Sequence, residues 1–167
     1  KMKTIPAQFL MTWTLQGLWV LVTFSAGLAA MTSAKQVPLE GFALVGTAVW
    51  LLGFVIEVVA DAQKRRLRRD ESNTQAFITT GLWSWSRHPN YFGEILLWLG
   101  IAIIAVPTLV GWQWATLISP VFVFVLLNYI SGVQMLERSA DKRWGEDPEY
   151  KAYKARTSEL IPLPPKA

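Results

Sequence analysis

No cysteine occurs anywhere in the 167-residue chain, and histidine occurs once, at position 88. The first absence excludes a disulfide framework, a thiolate metal site and a cysteine nucleophile. The single histidine excludes a zinc site of the usual ligand set, so no metal is expected. Charge is also missing where a soluble domain would have it. Phe9 to Met31 and Trp112 to Leu136 hold no charged residue, Gly41 to Ala60 holds only Glu57, and Phe92 to Val110 holds only Glu94. Alternating polarity, the mark of a membrane barrel strand, is absent from these runs.

What is present follows from those gaps. Hydrophobic residues make up 52% of the chain and are gathered into four runs, each near the roughly 20 residues that a helix needs to cross a bilayer. Only helices satisfy their own backbone hydrogen bonds there. The expected fold is an all-α integral membrane bundle of about four transmembrane helices, over 9–31, 41–60, 92–110 and 112–136, forming one membrane domain over 1–167. A connecting segment, 61–91, and a tail, 137–167, stand outside the spans. Of the 16 basic residues, all but Lys35 fall in the N-terminus, that segment or the tail. The positive-inside rule makes that side cytoplasmic, with both termini on it, in a bacterial inner membrane or an organellar membrane. The net charge of +4 therefore reads as a topology signal facing membrane lipid, not nucleic acid. The tail predicts a helix from about Ser139 through Trp144, a turn, and a short helix to about Thr157, with Asp147 as its cap and Pro148 in its first turn. The chain opens on Lys1, and its first apolar run is too long for a signal peptide. A missing N-terminal portion is one expectation.

Carboxylates at membrane depth need a polar cavity or a partner. Glu57 and Asp61 lie one turn apart on the second helix, Glu94 one turn inside the third, and Glu137 at the close of the fourth. Pro89 biases His88 away from helical geometry and starts the third helix, which leaves Arg87 and His88 before its N-terminus. Free N–H groups, the helix dipole and a guanidinium make an anion site there. Trp83, Trp85 and Tyr91 serve either as an interfacial belt or as a stacking surface for a planar ring. The dinucleotide fingerprint of soluble folds is absent.

Four pieces, in order, resemble bacterial membrane proteins related to steroid 5-alpha-reductases. They are Glu57-Val58-Val59-Ala60-Asp61, Gly81-Leu82-Trp83 through Arg87-His88-Pro89-Asn90-Tyr91-Phe92-Gly93-Glu94, Ser131-Gly132 through Leu136-Glu137, and Trp144-Gly145-Glu146-Asp147-Pro148-Glu149-Tyr150 to Ile161-Pro162. The resemblance implies an NADPH-dependent reductase that delivers hydride to a conjugated enone of a lipophilic substrate. It implies a cofactor pocket lined by Glu57, Asp61, Trp85, Asn90, Tyr91 and Glu94, with Glu137 near it. Arg87 and His88 are candidates for the phosphates, as are the basic Arg65, Arg138 and Arg156. Glu57 and Glu94 are the catalytic candidates. Larger members carry extra N-terminal helices that polarise the substrate carbonyl, whereas one span precedes Gly41 here, with Gln16 its most conspicuous polar residue. Trp85 also stands where animal reductases have a tyrosine. Arg87-His88-Pro89-Asn90-Tyr91 with Gly93 is similar as well to isoprenylcysteine carboxyl methyltransferases and phospholipid methyltransferases, which bind S-adenosylmethionine. In those the tail begins with paired glutamates, whereas here Glu137 precedes Arg138. A third reading is a non-catalytic relative with membrane-protein partners.

Overall fold

The computed structural model describes residues 6–69 and 77–166. Lys1 and Lys3, and residues 70–76 of the middle connection, lie outside them. Six α-helices run α1 Pro6–Thr32, α2 Phe42–Arg69, α3 Pro89–Ala105, α4 Ile118–Val125, α5 Val133–Trp144 and α6 Pro148–Arg156. Among the described residues there is no strand, only an isolated bridge between Ser86 and Ser158. Four segments are long and apolar enough to cross a membrane: Pro6–Thr32, Phe42–Arg69, Pro89–Thr108 and Gly111–Trp144. The all-α membrane bundle expected from the apolar runs is the fold observed.

The helix pair α2–α3 is built on glycine. Gly46 and Gly53 of α2 face Gly100 and Gly93 of α3 in antiparallel register. A Cβ at Gly53 would stand 2.5 Å from the Gly93 carbonyl oxygen, and one at Gly100 would stand 2.6 Å from the Gly46 carbonyl oxygen. Side chains are thus excluded and the backbones touch, the close approach that holds helices together where lipid offers no hydrophobic drive. Ala60 continues the same seven-residue spacing and is fully buried.

On its other side α3 meets α1 through more small residues, Ala26 and Ala29 against Ala102 and Ala105, closed by Leu109. Hydroxyls tie this end to the turn after α3, to the 3-10 segment before α4 and to α4 itself. Ser25 Oγ donates to the Thr116 carbonyl at 3.2 Å, Ser33 Oγ to that of Thr108 at 2.6 Å, and Ser119 Oγ to that of Thr23. These contacts involve the second half of α1 and Ser33 just after it; the first half of α1, Pro6 through Leu21, is exposed throughout.

Three elements differ from the sequence expectation: α2, the fourth span and the helix after it. The helix α2 continues past its apolar run to Arg69, because its Lys and Arg residues are good helix formers and favour a C-terminus. The fourth span is not one helix. A 3-10 segment, Gly111–Leu117, leads into α4, and a π turn over Leu126–Ile130 ends it, with the Ser131 amide donating to the Leu126 carbonyl at 2.9 Å. A Cβ at Gly132 would collide with the Leu127 carbonyl, so glycine alone fits the break. The next helix therefore starts at Val133 rather than Ser139. The helix α6 starts at Pro148, with Asp147 Oδ1 accepting the Glu149 amide at 2.8 Å.

Candidate functional site at one end of the bundle

The C-terminal end of α2, the start of α3, α5 and α6 meet at one end of the bundle. The segment between α2 and α3 is fastened on both sides. The Trp83 indole donates to the Ala60 carbonyl at 3.0 Å, and Gln63 Oε1 accepts the Leu82 amide at 3.1 Å. Gly81, at φ +64°, packs on the Gln63 side chain. From the tail, Tyr153 donates its hydroxyl to the Trp83 carbonyl at 2.7 Å. Residues after α6 then run beside the segment. The Arg87 amide donates to the Ser158 carbonyl at 2.8 Å, Ser86 Oγ to that of Leu160 at 2.7 Å, and the Leu163 amide to that of Trp85 at 3.1 Å. Burial raises the Tyr153 hydroxyl well above its ordinary pKa, so it stays a donor. Replacing Tyr153 with phenylalanine strands the Trp83 carbonyl and lowers thermal stability by about 1 kcal/mol in a detergent melt.

Glu137 is the hub of the first cluster. Arg87 grips its carboxylate with two parallel bonds, Nε to Oε1 and Nη2 to Oε2, each 3.0 Å. Arg87 Nη1 donates to the carbonyls of Lys154 at 3.1 Å and Thr157 at 2.9 Å. The guanidinium expected to receive an external anion is thus engaged by the protein's own carboxylate. His88 Nε2 lies 2.9 Å from Glu137 Oε1, and since a carboxylate only accepts, Nε2 carries the proton. Lys154 Nζ bridges Glu137 at 3.2 Å and Asp141 at 2.6 Å. Burial opposes the charge on Lys154, but the hydrogen bonds and negative charge of Asp141 and Glu137 prevail and raise its pKa.

The second cluster lies along α2 and α3. Glu94 is within electrostatic reach of Glu57, Asp61 and Tyr91, and Asp61 of Glu57 and Tyr91. Gly93 makes this proximity possible: a Cβ there would stand 2.7 Å from the Glu57 amide nitrogen. His88 joins the clusters, its ring stacked on Tyr91 with centroids 5.8 Å apart and planes 11° apart.

Beside Glu137 opens a cavity of about 270 Å³. Its walls are aromatic, with Phe77, Trp83, Trp144, Tyr150 and Tyr153, and Lys64, Arg68 and Arg143 add positive charge. Lys64 Nζ stands 5.1 Å from the centroid of the Trp83 ring, and the Arg143 guanidinium 4.9 Å from that of Trp144. Flat apolar walls beside cations suit a planar group carrying negative charge.

Of the candidates read from sequence, Arg87, His88 and Glu137 meet in the first cluster, and Glu57, Asp61, Tyr91 and Glu94 in the second. Asn90 is half-buried in the first turn of α3, whereas Trp85 is 48% exposed. Arg65, Arg138 and Arg156 are exposed and belong to neither cluster. Sequence reasoning did not single out Lys64, Arg68, Asp141, Tyr153 or Lys154 for this site. The signal for two of them was the spacing of Tyr150, Tyr153 and Lys154, which puts all three on one face of α6.

Fold and site define an all-helical membrane bundle whose polar chemistry is concentrated at one end. The chain belongs to the family described as "Protein of unknown function (DUF1295)", which matches residues 1–157. It is 34% identical over 84 residues to 3-oxo-5-alpha-steroid 4-dehydrogenase 1 of Bos taurus, covering 50% of this chain and 30% of the relative. It is 29% identical over 72 residues to steroid 5-alpha-reductase DET2 of Arabidopsis thaliana, covering 43% and 25%. An uncharacterized protein of Schizosaccharomyces pombe is 25% identical over 155 residues, covering 80% and 42%. The chain spans less than half the length of each of these relatives. No solved structure matches it significantly.

Proposed function

We propose that this chain is the cofactor-holding part of a membrane reductase that uses NADPH to reduce the conjugated double bond of a lipophilic enone. The observation that carries the reading is the meeting, at one bundle end, of pieces far apart in sequence: Glu57 and Asp61, the 81–94 segment, and Glu137 with its tail. The steroid reductases among the relatives support the reaction class.

The donor set fits the cofactor. Aromatic walls at Trp83, Tyr150 and Tyr153 suit a planar ring, and Lys64, Arg68 and Arg143 suit phosphates. Asp61, Asn90 and Tyr91 offer hydrogen bonds to the amide-bearing ring at the start of α3. When bound, NADPH supplies the hydride. The protein's own part is to orient that ring, to exclude water with the cap formed by the tail, and to hold a proton near the enone oxygen on Glu57 or Glu94. With the basic residues placed by the positive-inside rule, the site end and both termini face the cytoplasm.

The test is a side-by-side titration of detergent-purified protein with NADPH and S-adenosylmethionine. Saturable NADPH binding, weakened about tenfold by Asp61→Ala (about 1.4 kcal/mol), is the expected result. Binding of S-adenosylmethionine alone would replace the reductase with a methyltransferase. A folded protein that binds neither would leave the role of a membrane subunit.

A further inference from the structure

We propose that the extended segment after α6 is an interfacial anchor, seating Ile161 and Leu163 with the adjoining Trp85 among anionic lipid headgroups. Pro162, Pro164 and Pro165 keep this segment out of a helix. It lies extended against residues 85–87, so its side chains alternate: Leu160 and Pro162 are half-buried while Ile161 and Leu163 are 55% and 53% exposed. The bond from the Leu163 amide to the Trp85 carbonyl sets those side chains beside an indole that is itself 48% exposed.

Isolated exposed apolar residues are ordinary; their depth and surroundings distinguish these three. Two spans fix the depth independently. Trp85 stands just before Pro89, where the third candidate span begins. Its near neighbour Trp83 is bonded to the carbonyl of Ala60, where the apolar run of α2 gives way to Asp61 and the cations beyond. Residues 83–85 therefore lie at the boundary between hydrocarbon and headgroups, the level that tryptophan prefers.

Charge selects the occupant. From α6 onward Lys151 and Lys154 are held by Glu146 and by Glu137 and Asp141, while Arg156 and Lys166 stand against a single acidic residue, Glu159, between them. The Lys166 amide is bonded to the Arg156 carbonyl at 3.0 Å, which draws together the two cations that flank Ile161 and Leu163 along the chain. Apolar side chains flanked by cations at headgroup depth complement an anionic bilayer surface, each cation adding attraction that salt screens.

The absence of cysteine makes the test direct. Leu163→Cys and, as an aqueous reference, Glu146→Cys at a fully exposed turn position are each labelled with an environment-sensitive fluorophore. Both proteins are reconstituted in vesicles of phosphatidylcholine with or without phosphatidylglycerol. The label at 163 should emit at shorter wavelength than that at 146. Nitroxides near the lipid headgroup should quench it several-fold more strongly, and phosphatidylglycerol should deepen that quenching. Arg156→Glu with Lys166→Glu should remove the dependence on phosphatidylglycerol. Equal quenching of both labels by aqueous iodide would overturn the proposal. Shielding at 163 from iodide and lipid nitroxide alike would also overturn it, by showing that protein covers the patch.

Discussion

Gly53→Leu is expected to separate α2 from α3 and to cost at least about 3 kcal/mol, the upper end for forcing bulk into a packed interior. The atoms that an added side chain meets are the Gly93 carbonyl oxygen at 2.5 Å and the Leu97 amide nitrogen at 2.6 Å. Both belong to the backbone of a helix whose opposite face is packed on α1 and α4, so neither yields by a rotamer change. The two axes must move apart, and the Gly46–Gly100 contact is lost with them. Gly17→Leu is the matched control, because a Cβ there meets nothing within 4 Å. Thermal unfolding in detergent should show a large loss for the first variant and little for the second. Equal stability of the two would refute the glycine interface.

The second large effect belongs to Glu137. Glu137→Gln removes the charge opposite three cationic or hydrogen-bonding groups, and Arg87 and Glu137 side chains are each only 12% exposed. Breaking such a pair from one side leaves a guanidinium in a poorly hydrated site and costs about 3–5 kcal/mol. Removing both charges, as in Arg87→Met with Glu137→Met, should destabilise by less than the sum of the single changes. A double-mutant cycle by thermal unfolding measures that coupling, and strict additivity would show that the bidentate contact contributes little. Glu137→Asp keeps the charge but shortens the reach, so it should fall between wild type and Gln.

The features legible in sequence are those that polarity alone dictates. Four apolar runs, two uncharged and two with a single glutamate, announce four helical spans, and Pro89 and Asp147 mark helix starts by local chemistry. The split of the fourth span was not legible, because Leu126 to Ile130 are as apolar in a π turn as in an α-helix. The break falls at Gly132, and its reason, the Leu127 carbonyl pressed against it, is a contact made in three dimensions. The site shows the same limit. Arg87 and His88 before a helix start read as open to an anion, and nothing local reveals that Glu137, fifty residues on, fills that place. Gly46, Gly53 and Ala60 at a constant spacing of seven, answered by Gly93 and Gly100, were not singled out in the sequence either, because glycine within an apolar run carries no polarity signal, and their backbone contacts appear only in three dimensions.

The fastening of residues 85–87 by the tail has a consequence for biosynthesis. Arg87 finds its Thr157 partner some 70 residues further along the chain. At roughly 5–20 residues per second, a ribosome takes about 4–14 seconds to deliver it. During that interval α2 and α3 can already zip together along their glycines inside the bilayer, while Arg87 waits hydrated at the membrane surface. Insertion and closure are therefore separate events, and a nascent chain stalled before Thr157 would be threaded through the membrane with its functional end still open.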